Sequence, residues 1–77
     1  MDIDDFVEAF ADQFEAANPN EFTKETNFKD LSEWSSLTVL SIISMIKLKY
    51  GVSVSGLDVN RCTTVADVFA LVEQAHG

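Results

Sequence analysis

The chain has 77 residues, 47% of them hydrophobic, and carries 13 acidic against 5 basic side chains, for a net charge of -8. This length is that of one small domain, and we expect a single domain over residues 1–77. The negative charge repels phosphate and anionic lipid, which excludes nucleic acid and an acidic membrane surface as partners. The apolar content is that of a packed core rather than of a disordered tail.

Neither a membrane span nor a disulfide is expected. The longest stretch without charge, residues 34–46, is shorter than the roughly 20 residues that cross a bilayer. Cys62 is the only cysteine, and the N-terminus carries Asp2, Asp4 and Asp5 instead of the positive flank of a secretory signal. These features favour a cytoplasmic protein, and we expect it to be a monomer.

The first segment has the period of an amphipathic helix. Asp2 is positioned to cap its first turn, and Asn18, Pro19 and Asn20 are expected to end it. Acidic side chains occupy the face opposite the apolar stripe. That stripe consists of Ile3, Phe6, Val7, Phe10, Phe14 and Ala17.

Residues 18–35 show no sustained period and predict a long loop. Four large apolar side chains are spaced along it so that they pin the loop to the core. They are Phe22, Phe28, Leu31 and Trp34.

A second helix is predicted from Ser36 to Tyr50, with Gly51 placed to end it. One arc of this helix is apolar and predicts a core face: Val39, Ile42, Ile43, Ile46 and Tyr50. The opposite side is apolar as well, so either a neighbouring element or a partner protein covers it. Its side chains are Leu37, Leu40, Met45 and Leu48, interleaved with Thr38, Ser41 and Ser44.

The last third of the chain predicts an extended connector, one short helical turn and a final helix. Val52 and Val54 are too isolated for a strand, and residues 57–61 suit a single turn. Thr64 and Asp67 fit a capping box that opens the last helix, whose core stripe is Val65, Val68, Phe69 and Val72. The fold class is therefore all-α: a small four-helix bundle with a long loop between helices one and two and a short third helix.

The usual catalytic and metal-binding signatures are absent. A dyad of Cys62 and His76 is conceivable, but a lone cysteine before an apolar helix is more often a small core residue. Residues 18–30 are rich in oxygen ligands yet lack the ligand spacing and glycine of an EF-hand. We expect neither catalysis nor a bound metal.

The segment around Ser35 and Ser36 is the most informative. Judged locally, either serine is simply the N-cap of helix two, because a serine hydroxyl accepts a hydrogen bond from the first amides of a helix. Local sequence leaves the choice open.

Nearly the whole chain, however, resembles an acyl carrier protein. The matching features are the acidic first helix, the long loop, the pair Ser36–Leu37 opening helix two, residues 50–54 closing it, and residues 63–67 before the last helix. The resemblance implies that Ser36 receives 4'-phosphopantetheine from coenzyme A, and that the cofactor's thiol carries an acyl group as a thioester. It also implies a non-catalytic carrier, whose partners are a phosphopantetheinyl transferase and the enzymes that load and use the acyl group.

Two departures from the family pattern bear on these implications. Ser35 stands where the family usually has an aspartate, which makes it a competitor for modification. Helix two also lacks the acidic residues that usually meet basic partner enzymes, so we expect weak charge steering by this helix. We expect docking to rely on Leu37, Met45 and Leu48, with Thr38 and Ser41 as small neighbours, and we expect Leu40 to pack internally.

Several readings of the function stay open. The absence of acidic residues from helix two favours a specialised fatty acid, polyketide or lipid pathway. An aminoacyl carrier has the same fold and prosthetic group, and the sequence does not distinguish it from an acyl carrier. A cofactor-free helical module that binds one protein through the outer apolar face of helix two is the alternative from another class. In that case Ser36 is only a cap.

Overall fold

The computed structural model describes residues 2–14 and 22–76. In these ranges the chain forms four α-helices and one 3-10 turn, Phe28–Asp30, with no strand beyond a single bridge between Asn27 and Thr64. The predicted all-α class, with its long loop between helices one and two and its short third helix, is confirmed. The helices are α1 Ile3–Ala11, α2 Ser36–Tyr50, α3 Gly56–Asn60 and α4 Val65–His76.

Helix α1 ends earlier than the sequence pattern predicts. Asp2 caps its first turn as expected, because its side chain accepts a hydrogen bond from the Asp4 amide. After Ala11 the chain tightens, and the Phe14 amide donates to the Ala11 carbonyl, three residues back. This turn leaves Phe14 buried although it lies outside the helix. The predicted continuation through Ala17 lies outside the described residues.

Aromatic rings join the helices into one core. The Phe6 ring lies 5.4 Å from that of Phe69 on α4 and 5.6 Å from that of Tyr50 on α2. The predicted α4 stripe is entirely buried, and Ile42 and Ile46 of α2 are fully enclosed. Burial on this scale supplies the main favourable term in folding a chain of this size.

The long loop is pinned to the bundle, as predicted. Phe22 and Phe28 are buried in the core, and Leu31 and Trp34 pack against it half-exposed. The Phe28 ring lies 5.2 Å from that of Phe10 and 4.8 Å from that of Trp34. The loop that precedes α2 is therefore fixed by side-chain packing before the helix begins.

Two hydrogen bonds join the same loop to the start of α4. The amides of Val65 and Ala66 donate to the carbonyls of Thr26 and Lys24 over 3.2 and 2.8 Å. The first amides of a helix have no partner within the helix, so the loop carbonyls satisfy them from outside.

The predicted capping box at the start of α4 is present. The Asp67 amide donates to Thr64 Oγ1 over 3.2 Å, and the Thr64 and Thr63 amides each donate to Asp67 Oδ2 over 3.0 Å. These amide hydrogen bonds lower the pKa of the Asp67 carboxyl, because they stabilise its charged form.

Gly51 ends α2 in the left-handed conformation, with φ 69°, and we expect Gly51→Ala to destabilise the fold by about 1–2 kcal/mol. Apart from Gly51 and its two neighbours in the chain, no described residue has an atom within 4 Å of the position that its Cβ would take, so backbone strain alone causes the loss. Gly56→Ala is the control: its Cβ would meet Val39 Cγ1 at an ordinary 3.7 Å, and we expect no loss of stability. Urea denaturation of both variants measures the difference, and equal losses would contradict this assignment.

Candidate functional site

The site is the N-terminal tip of α2, where two adjacent serines occupy different positions. Ser35 is the N-cap, because its Oγ accepts a hydrogen bond from the Thr38 amide over 3.3 Å. Ser36 is the first residue of the helix and is exposed. The sequence left open which of the two serines caps α2, and the structure shows that it is Ser35.

A chain of hydroxyl hydrogen bonds occupies Ser35 but not Ser36. Thr38 Oγ1 donates its only hydrogen to the Glu33 carbonyl over 2.6 Å. The 3.2 Å contact between Ser35 Oγ and Thr38 Oγ1 must therefore use the hydrogen of Ser35. The Ser35 hydroxyl both donates and accepts, whereas the Ser36 hydroxyl has no hydrogen-bond partner among the described residues.

The tip of α2 suits a negatively charged group. Within the described ranges no acceptor lies against the amides of Ser36 and Leu37, and the helix dipole places its positive end here. The first turn of α2 contains no acidic residue. A phosphodiester on the Ser36 hydroxyl fits these residues, because unpaired amides and a helix N-terminus both favour an anion.

The side of α2 that faces away from the core exposes three leucines. Leu37 is 76% exposed, Leu40 59% and Leu48 87%. The prediction that Leu40 packs internally was wrong, since no described element covers this edge of the helix. Leu37, Leu40, Ser41, Ser44 and Leu48 are called here the outer face.

Two of the residues expected at a docking surface lie deeper than the others. Thr38 is 8% exposed and Met45 is 9% exposed. The Thr38 hydroxyl holds the tip of α2 by donating to the Glu33 carbonyl. The sequence pattern did not predict this role. Met45 forms the floor of a shallow groove of about 680 Å³, whose walls include Leu37, Leu48 and Gln13.

Cys62 and His76 do not form a pair. Cys62 is buried just before α4, whereas His76 is exposed at the other end of that helix, roughly 16 Å away along its axis. Burial raises the pKa of the Cys62 thiol, and the nearby Asp67 carboxylate raises it further. A protonated, buried thiol is a poor nucleophile, which agrees with the prediction that Cys62 is a core residue.

Among the described helices none has both the length and the apolar character that spanning a membrane requires.

Comparison with known proteins identifies the family. The family model described as the phosphopantetheine attachment site matches residues 4–72, whereas no curated protein and no solved structure matches the chain. That match spans most of the chain and confirms the resemblance to acyl carrier proteins. The chain belongs to the phosphopantetheine-binding family, whose members are in general non-catalytic carriers with 4'-phosphopantetheine as their covalent cofactor.

Proposed function

We propose that residues 1–77 are a single acyl carrier domain that holds its 4'-phosphopantetheine on Ser36. The observation that carries the proposal is the pair of serines at the α2 tip: the Ser35 hydroxyl is held in two hydrogen bonds, and the exposed Ser36 hydroxyl is in none with described residues. A hydroxyl that must enter the active site of another enzyme has to be exposed and unengaged. Of the two serines, Ser36 meets that requirement.

Ser36 acts as an attachment point and not as an activated nucleophile. No His or Lys side chain hydrogen-bonds to it within the described ranges, so the base that removes its proton belongs to the transferase. Its Oγ forms a bond to the phosphorus of coenzyme A that carries the pantetheine arm, and the bond to the adenosine bisphosphate leaving group breaks. The amides of Ser36 and Leu37 favour the phosphodiester that results. When bound, the group supplies a thiol that holds an acyl chain as a thioester.

The test is intact mass after incubation with coenzyme A, magnesium and a broad-specificity phosphopantetheinyl transferase. We expect the native chain to gain the mass of one phosphopantetheinyl group and Ser36→Ala to gain none. Ser35→Ala is the matched control: it loses the cap, worth about 1 kcal/mol, but keeps its modification site. A gain that persists in Ser36→Ala and disappears in Ser35→Ala would move the attachment to Ser35.

The residues along α2 support a finer form of the proposal. The carrier has no carboxylate on α2, so its loading and acyl-using enzymes differ in docking chemistry from those that read an acidic helix. This favours a specialised fatty acid, polyketide or lipid pathway, in which the domain works as a cytoplasmic monomer. Docking through Leu37, Ser41 and Leu48, with Met45 and Thr38 beneath them, remains part of this proposal.

The exposed leucines of α2 favour one second candidate, a cofactor-free module that binds a single protein through the outer face. Leu37, Leu40 and Leu48 are all exposed on one side of a single helix, and a group of exposed apolar side chains, unlike a lone one, indicates an interaction surface. The mass experiment separates the candidates, because the module gains no mass with any of several transferases.

A further inference from the structure

We propose that the outer face of α2 docks an amphipathic helix of a partner enzyme whose apolar ridge is flanked by carboxylates. The inference rests on the proposed function in that this enzyme loads or uses the arm on Ser36. It concerns the chemistry of the partner, and it follows from the charges and exposures along α2.

The apolar part of the outer face is elongated. Leu37 and Leu48 are 76% and 87% exposed and stand roughly 16 Å apart along the helix axis, with Leu40 between them at 59%. Ser41 and Ser44 separate the leucines and leave the shallow groove that has Met45 as its floor. An apolar strip about three turns long, with small residues between its ridges, matches one face of a helix laid along it.

Two lysines give this part of the molecule a positive charge. Lys47 and Lys49 immediately precede and follow Leu48, so they lie about 100° to either side of it around the helix. Lys49 also lines the groove, and Lys47 Nζ donates to the neutral Ser53 Oγ over 3.1 Å. No carboxylate belongs to α2, and none is among the described residues that line the groove.

The charge of α2 itself is therefore opposite to the net charge of -8. The nearest carboxylates belong to other elements. Burial raises the pKa of Tyr50, and Asp5 and Asp2 lie close enough to raise it further. Glu33 lines an adjoining groove beside Leu37. Lys47 and Lys49 are the charged side chains of the helix that carries the leucines.

Screening by physiological salt acts over about 8 Å, so a docked partner responds to the charges beside the groove more than to distant acidic residues. Carboxylates on the flanks of the partner's ridge pair with Lys47 and Lys49, whereas lysines there are repelled. Charge complementarity thus selects an acidic, leucine-bearing helix as the occupant.

The experiment titrates the unmodified, isotope-labelled chain with two synthetic helical peptides and follows amide chemical shifts. Both peptides carry leucines at i, i+4, i+7 and i+11; one has glutamates on both flanks and the other lysines. We expect the glutamate peptide to shift the amides of residues 37–49 saturably. Saturable binding of the lysine peptide to residues 37–49 with equal or higher affinity, or no saturable shift there with the glutamate peptide, would overturn the proposal.

Matched variants separate the charge from the apolar contact. The double change Lys47→Glu and Lys49→Glu is expected to lower the affinity for the glutamate peptide by roughly fivefold. The control Lys24→Glu changes an exposed lysine outside α2 and is expected to leave that affinity within about twofold of the native value. Leu48→Ala is expected to lower the affinity for both peptides. Leu57 is 63% exposed on α3, and Leu57→Ala is expected to leave both affinities unchanged. Equal effects of each variant and its control would overturn the assignment.

The peptide titration does not depend on the cofactor, so it fails or succeeds separately from the mass experiment. If the chain gains the phosphopantetheinyl mass but does not bind the glutamate peptide, the proposed function stands and this inference is overturned. A chain that binds the peptide on α2 without gaining mass retains the docking chemistry and loses the carrier role.

Discussion

Phe10→Ala is expected to remove about 3–5 kcal/mol from the free energy of unfolding, the range measured for phenylalanine to alanine changes in packed cores. Phe10 is fully buried and its ring lies within 6.4 Å of those of Phe6, Phe14, Phe22 and Phe28. It therefore joins α1 to the loop and to the rest of the core. A chain of this length is stable by only about 4–12 kcal/mol, so the change consumes a large part of the total.

Urea denaturation followed by far-ultraviolet circular dichroism measures this loss. Val7→Ala is the control on the same helix, because Val7 is half-buried and loses only two methyl groups, worth about 1 kcal/mol. If Phe10→Ala were no more harmful than Val7→Ala, the aromatic cluster would not be the centre of the core.

Phe28→Ala is expected to cost a similar amount, about 3–5 kcal/mol, and to act on the candidate site as well. Phe28 is fully buried between Phe10 and Trp34, and it holds the segment that leads into α2. Without this ring, Trp34 loses its nearest aromatic neighbour, and the Glu33 carbonyl that anchors Thr38 becomes less well fixed. We therefore expect slower modification of Ser36 in addition to the loss of stability.

Two measurements check this prediction: urea denaturation, and the rate of mass gain with the transferase at a temperature where the variant is still folded. Leu31→Ala is the control, since Leu31 is a half-buried residue of the same loop and its loss leaves the aromatic contacts intact. A Phe28→Ala protein that is modified at the native rate while folded would show that the tip of α2 is held by other contacts.

Much of this fold is predictable because its helices are amphipathic and their ends carry strong signals. Gly51, Thr64 and Asp67 each mark a helix boundary through backbone chemistry that acts locally, and the structure has them where the sequence pattern puts them. The early end of α1 was not predictable in this way. Phe14 continues the helical stripe in sequence, and in the structure its ring still reaches the core from outside the helix, 5.8 Å from that of Phe10 and 5.1 Å from that of Phe22.

The candidate site, too, was predictable only where local sequence signals set the structure. An exposed serine at the start of α2 follows from the capping pattern, but which serine caps depends on the position of the Glu33 carbonyl, which the loop sets by tertiary packing. Met45 and Leu40 are both apolar residues off the core arc. Periodicity does not reveal that Gln13, just after α1, lines the groove that has Met45 as its floor, or that Leu40 is left exposed.

The hydrogen bonds from Val65 and Ala66 to the loop carbonyls of Thr26 and Lys24 have a consequence for the whole molecule. They tie the loop before α2 to the start of the C-terminal helix through backbone groups that have no partner within that helix. The loop that leads to the serine tip is thus held in part by a helix that begins about thirty residues further along the chain. A substitution that destabilises the start of α4 is therefore expected to loosen the loop that leads to the candidate site, through these two bonds.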